Sequence, residues 1–182
     1  MATVNDALKF VQDPHTPKVG LSFNGKVVGN GEHIPKAETH VTPTLTLPTP
    51  SGVYIVVCID LDAPFPSFSF LGPILHWFQS GLRASASSTP STSGDSIGTQ
   101  LTALGIPHIV DYAGAGPPPG SGPHRYIFLL YQQSGDFDAS KHAVVKEGQK
   151  VGISKRIKYD FAALVRDAKL GEPVAGNWFI SN

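Results

Sequence analysis

Glycine and proline make up almost a fifth of this chain, 19 and 16 of 182 residues, and that load constrains its fold more than any other feature. Proline withholds a backbone donor and fixes φ, while glycine weakens the interior of helices and strands alike. Such a sequence is predicted to be mainly β, with short strands, many loops and few long helices. A hydrophobic share of 41% supports a buried core at this length and sets the chain apart from disordered sequences, so residues 1–182 are read as a single domain.

Charge and cysteine usage narrow the function. Fourteen Lys and Arg balance fourteen Asp and Glu, so no global field draws the chain to nucleic acid or to an anionic membrane. Cys58 is the single cysteine, which excludes an intrachain disulfide and a Cys-rich metal site. The seven histidines never repeat at a ligand spacing on one element, so neither a metal nor a cofactor is expected. The N-terminus lacks the basic start and apolar run of a signal peptide, no stretch approaches membrane-spanning length, and no N-x-Ser/Thr occurs; a cytoplasmic protein without stable membrane insertion is the expectation.

Residues 3–11 predict a short helix, with Thr3 and Asp6 as a capping box and Asp13-Pro14 as its stop. Asn24-Gly25, between Leu21-Ser-Phe23 and Lys26-Val-Val28, predicts a hairpin, because this pair tolerates the positive φ of a two-residue primed turn. Residues 44–47 alternate as a strand should. Residues 53–59 are a continuous apolar run and predict a central strand buried on both faces. Residues 83–105, rich in Ser, Thr and Gly, read as a mobile surface loop. Residues 124–131 predict a second central strand with His124, Tyr126, Phe128 and Leu130 on one face. Residues 154–170 read as an amphipathic C-terminal helix, capped by Ser154, with Ile157, Phe161, Leu164, Val165 and Ala168 as its stripe and Gly171 and Pro173 as its end.

Two motif matches carry no chemistry. Gly94-Asp-Ser-Ile-Gly98 fits a nucleophile elbow but sits in the low-complexity loop rather than on a strand-to-helix turn. Gly114, Gly116, Gly120 and Gly122 surround Pro117-Pro118-Pro119, which removes the donors a phosphate-cradling loop needs. His15, His33, His40, His108 and His142 are read as solvated. His76 and His124 lie among strand formers and aromatics, and either alone is accounted for by a core histidine bonded to a carbonyl. Asp60 and Asp62 change the balance. They stand at the end of the first central strand and point the same way if extension persists, and a carboxylate facing an imidazole raises its pKa and aims a donor into a cavity. Such a site holds an anion. Arg125, on the opposite face from His124, is assigned to Asp62 rather than to a ligand.

Asp60-Leu-Asp-Ala-Pro64, Leu75-His-Trp-Phe78, and Gly116-Pro-Pro-Pro-Gly-Ser-Gly122 running into Pro123-His-Arg-Tyr-Ile-Phe-Leu-Leu-Tyr131 resemble the signature segments of the phosphatidylethanolamine-binding protein family. Pro173-Val-Ala-Gly-Asn-Trp-Phe179 resembles its fungal members. The resemblance implies a large Greek-key sheet with a smaller sheet packed on it and a small anion pocket. Carried over by motif, that pocket is Asp60, His76, Gly116, Pro118, His124 and Tyr126, with Asp62 and Pro64 shaping its floor and Ala63-Pro64 a candidate cis bond.

This chain departs from the family in two places: Leu61 replaces the usual proline between the aspartates, and residues 65–75 carry no charge where a polar segment is usual. Phe65, Phe68 and Phe70 either pack the apolar body of a ligand or cover the sheet. Three functions follow as expectations. One is a pocket binding the carboxylate or phosphate head of a small, partly apolar ligand. Another is a cofactor-free, metal-free fungal biosynthetic enzyme, or its partner, that isomerises, cyclises or dimerises an acidic polyketide-type metabolite through Asp60, His76 and His124. The last is an inhibitor or scaffold for a kinase or protease.

Overall fold

A computed structural model describes residues 3–85, 98–146 and 149–182. Strands β1 (Gly20–Phe23), β2 (Lys26–Val27), β3 (Glu32–His33), β4 (Thr44–Leu47), β5 (Tyr54–Asp60), β6 (Ile74–Ala84), β7 (Thr99–Thr102), β8 (His124–Gln132) and β9 (Ala175–Ser181) join in the order β2-β1-β4-β7-β6-β5-β8-β9-β3. Helices α1 (Val4–Gln12) and α2 (Phe161–Asp167) are short, as the glycine and proline load predicts. The β3–β9 pair is parallel and the rest of the ladder antiparallel.

The smaller sheet implied by the resemblance is the far half of this ladder. Long β6 pairs with β5 over its first part and with β7 at Arg83 and Ala84, so it carries the sheet round to face itself. Leu21, Phe23, Leu45 and Leu101 from one half then pack on Val56, Cys58, Phe128 and Leu130 from the other. The opposite face of β5 and β8, with Val57, Ile59, Ile127 and Leu129, forms a second core under α1 and α2. β5 is therefore buried at every position, as its unbroken apolar run requires.

Local chemistry explains several elements. Thr3 Oγ1 accepts from the Asp6 amide and Asp6 accepts from the Thr3 amide, so α1 starts with the predicted capping box. Asn24 at φ 50° and Gly25 at φ 81° make the primed turn between β1 and β2.

Three expectations are corrected. Residues 154–170 are not one helix: a 3-10 turn, Ile153–Lys155, is followed by a break, and α2 starts only after Asp160, whose side chain accepts from the Ala163 amide. In the break Lys158 takes φ 50°, and the Lys158 and Tyr159 amides donate to the Leu71 and Pro73 carbonyls instead of to a preceding turn. Residues 83–105 are not wholly a loop, because Arg83 and Ala84 finish β6 and β7 pairs with β4. The Gly94–Gly98 motif lies outside the described residues except for Gly98. His108, read as solvated, is half-buried, and its Nε2 is enclosed without a hydrogen-bond partner.

Candidate functional site

Asp60 is the last residue of β5 and pairs in register with Tyr126 on β8. His124 opens β8 on the same face as Tyr126, as strand alternation predicts. The Asp60 and His124 side chains meet at 2.9 Å, Oδ2 to Nδ1, with Asp60 3% and His124 1% exposed. The other imidazole nitrogen, Nε2, lies 3.2 Å from the Pro64 carbonyl. Carboxylate and carbonyl both accept, so the ring satisfies both only as the imidazolium. Burial opposes that charge, but the Asp60 hydrogen bond and charge, the Pro64 carbonyl and Asp62 outweigh it and raise the His124 pKa above its ordinary value.

His76 reaches the same place by a different device. Cys58 pairs with Trp77 and Ile59 with Leu75, leaving His76 as the extra residue of a bulge in β6. Bulges re-aim side chains, and this one turns the His76 ring edge-on to Tyr126 with centroids 5.1 Å apart. His76 Nδ1–H donates to the Ala113 carbonyl at 2.8 Å, and the Ala113 amide donates back to the His76 carbonyl at 2.8 Å. Burial pushes the His76 pKa down, against the raising pull of Asp60, and the positive charges of Arg156 and His124 add to the lowering. A neutral ring that donates from Nδ1 keeps Nε2 as a bare acceptor.

Tyr126 lies against the His76 ring. Its hydroxyl oxygen accepts from the Gly116 amide at 3.3 Å, and burial, then the Asp60 charge, raises its pKa. Gly116 and Pro118 are exposed, and the Ser121 amide closes the following turn on the Pro118 carbonyl. Thr39, missed in the sequence, steadies this segment by accepting from the Ala115 amide. Gly114 is obligatory there, since an added Cβ would stand 2.7 Å from the Thr39 carbonyl oxygen.

Asp62 does not share this space. Extension stops at Asp60, and the chain bends so that the Asp62 amide caps Asp60 Oδ1 while its own carboxylate takes the Arg125 amide, Nε and Nη2 at 2.8, 2.8 and 2.6 Å. The pairing of Asp62 with Arg125 is as expected from the sequence; its pointing with Asp60 into one cavity is not. The Ala63–Pro64 bond is cis, and so is Gly72–Pro73. Phe68 and Phe70 face solvent, with ring contacts to each other at 5.0 Å and from the Lys158 ammonium to Phe70 at 5.9 Å. They do not cover the sheet.

Arg156 is the residue sequence reasoning overlooked. Its buried guanidinium donates to the carbonyls of Val151, Leu75, His76 and Asp111 and to the Asp111 carboxylate, and so fixes the β6 bulge from behind. Among the described residues no group of three His, Cys, Asp or Glu is arranged to hold a metal ion. Other concavities include one of about 450 Å³ beside Lys18, Asn30 and Glu32 and one of about 360 Å³ beside Pro107 and Ala139. Neither is lined by an acid–imidazole pair, and the paired Asp60 and His124 single out the end of β5 and β8.

A curled β ladder with aspartate and two imidazoles gathered at one end of its central strands defines the class of protein. The family model described as phosphatidylethanolamine-binding protein matches residues 24–179, and the chain belongs to that family. Among curated relatives it is similar to the carboxypeptidase Y inhibitor of Saccharomyces cerevisiae, 29% identical over 72% of this chain and 57% of that one. It is also similar to phomoidride biosynthesis cluster protein N of Talaromyces stipitatus, 32% identical over 70% of this chain and 58% of that one. Each match thus spans less than two thirds of the relative's own length. The fold resembles that of carboxypeptidase Y inhibitor in complex with its cognate proteinase, with a TM-score of 0.69, 21% identity and coverage of 91% and 84% of the two chains. It also resembles a phosphatidylethanolamine-binding protein from Plasmodium vivax, with a TM-score of 0.64, 19% identity and coverage of 100% and 98%.

Proposed function

We propose that this protein binds a small ligand through its anionic head, a carboxylate or phosphate, at the site formed by Asp60, His76, His124 and Tyr126 under the Gly116–Pro118 rim. The observation that carries the reading is the division of labour between the two histidines. Asp60 and His124 form a pair with no net charge, and Asp62 already matches Arg125. An arriving anion therefore meets little uncompensated positive charge until His76, neutral in the free protein, takes up a proton. Binding is coupled to that proton.

Affinity for a non-titrating anion such as sulfate is expected to fall as pH rises, by up to about tenfold per pH unit for one linked proton. The range runs from the lowered His76 pKa of the free protein to the higher value in the complex. Calorimetric titration in buffers of different ionisation enthalpy reads the proton directly. His76→Gln should bind weakly and without this slope; a flat profile in the wild type would overturn the reading.

The relatives support two further readings. A chain similar to carboxypeptidase Y inhibitor is a candidate protease inhibitor, and the similarity to a biosynthesis cluster protein is what supports the acid–base enzyme, with neutral His76 as the base. Assay of carboxypeptidase Y with and without this protein decides the first of these, and unchanged hydrolysis at saturating protein would sink it.

A further inference from the structure

We propose that the cavity between residues 107–109 and residues 139–145 is a second ligand site, separate from the one at Asp60 and His124, and that it takes a compact apolar carboxylate. Its volume of about 360 Å³ is that of a small-molecule site. The walls are Pro107, Ile109, Ala139, Ala143 and Val145, and buried Ile109 is part of the core under the helices. Both sides of the cavity are built on Phe78. Its backbone pairs with Val110 and accepts from the Ile109 amide. Its ring meets Phe137 and His142, which stack on each other at 5.4 Å where the 3-10 turn Ala139–His142 closes. Gln79, also buried, adds hydrogen bonds from Nε2 to the Ile106 and Pro107 carbonyls at 3.2 and 3.4 Å. A cavity held in shape this way needs little ordering when a ligand enters.

Two polar side chains set the charge of the ligand. His108 lines the cavity, half-buried, with its Nε2 shut in and without a hydrogen-bond partner. An enclosed polar atom left unmatched is unfavourable, and the terminal torsion of an imidazole is broad enough for the ring to turn its N–H to an oxygen in the cavity. Lys146 lines the same cavity, is exposed, and forms no ion pair among the described residues. No aspartate or glutamate is among the described residues that line it, and the Ser140 hydroxyl is engaged by Asp138 at 2.6 Å. One imidazole N–H and one unpaired ammonium beside apolar walls complement a single carboxylate on an apolar body. A polyanion would leave the walls uncovered, and a cation would face Lys146.

The test uses the full chain, 1-naphthoate as the probe and naphthalene-1-methanol as its uncharged counterpart, with the amide resonances of Ile109 and Val145 followed by NMR. Both amides should shift on titration with 1-naphthoate, and its affinity should exceed that of the alcohol by about tenfold or more. His108→Phe keeps a ring and removes the donor. It should weaken 1-naphthoate by about fivefold or more without lowering the thermal midpoint, because it leaves no polar atom unmatched. Lys146→Gln should weaken 1-naphthoate by about two- to fivefold and leave the alcohol unaffected. Ala143→Phe, which fills the cavity from an exposed position, should abolish binding of both. His124→Gln should show the wild-type shifts at Ile109 and Val145, and excess sulfate should not displace the probe, which separates this cavity from the site at Asp60 and His124. Unmoved amides, equal affinity for acid and alcohol, or full affinity in either His108→Phe or Lys146→Gln would overturn the proposal. So would binding that survives Ala143→Phe, is lost in His124→Gln or yields to sulfate.

Discussion

Two buried histidines with opposite displacements give the stability of this protein a peak. His124 holds its proton more tightly when folded than the unfolded chain does near pH 6.5, despite burial, because Asp60 and Pro64 accept from it. Its stabilisation is complete below 6.5 and is lost as pH rises through the raised folded value. His76 does the reverse. Burial keeps it neutral, so as pH falls through 6.5 toward its lowered folded value the unfolded chain takes up protons first and stability drops. Denaturant midpoints measured across this range should peak near about pH 6.5. His76→Gln should remove the decline on the acid side and His124→Gln that on the alkaline side; His124→Ala, which leaves Asp60 buried without its partner, should cost about 3–5 kcal/mol. A monotonic profile in the wild type would refute this assignment. Much of this residue-level pattern was legible in the sequence, since alternation alone put His124 and Tyr126 on one face and Arg125 on the other. Arg156 was not legible. Its partners are backbone carbonyls far along the chain, and a lone arginine in a helix-like pattern looks like a solvated one until the fold buries it.

At the scale of elements, α2 shows where periodicity misleads. The stripe from Ile157 to Ala168 has helical spacing, but backbone amides in its first part are claimed by the 71–73 segment, a tertiary demand that local pattern does not register. The same helix ends earlier than Gly171 suggests. The Leu170 amide donates to the Val165 carbonyl and the Lys169 amide to the Arg166 carbonyl, a Schellman closure with Leu170 and Val165 as its apolar pair. Lys169 therefore takes the left-handed position, φ 49°, where glycine is the favoured residue. Its ion pair with Asp136, at 3.7 Å between exposed groups, contributes little. Lys169→Gly should stabilise the protein by roughly 0.5–1 kcal/mol, relief of left-handed strain exceeding the added chain entropy. A lowered thermal midpoint would show that the ion pair or the entropy wins. The strands were easier to read because β5 and β8 are buried on both faces, and full burial leaves a continuous apolar run that no loop or solvent-facing helix imitates.

Across the whole molecule, β5 and β8 are the partition between two cores, each contributing alternate residues to either side. Neither core is closed without these strands. The curl of the ladder that brings Leu45 and Leu101 over Val56 depends on β6, which also positions His76, so the site and both cores share the same supports. Loss of packing on one face should therefore not leave the other folded. Trp77 lies in the core between the two halves of the ladder, whereas Trp178 packs against the core under the helices. Trp77→Phe and Trp178→Phe variants, each keeping one tryptophan, report on one core at a time. Their denaturation curves should coincide, and Leu129→Ala, a deletion on the helical face costing about 2–5 kcal/mol, should move both by the same amount. If Leu129→Ala shifted the Trp178 signal and left that of Trp77 in place, the two cores would be separate cooperative units. The Asp60–His124 pair, built at the end of the partition, would then have to be assigned to one of them.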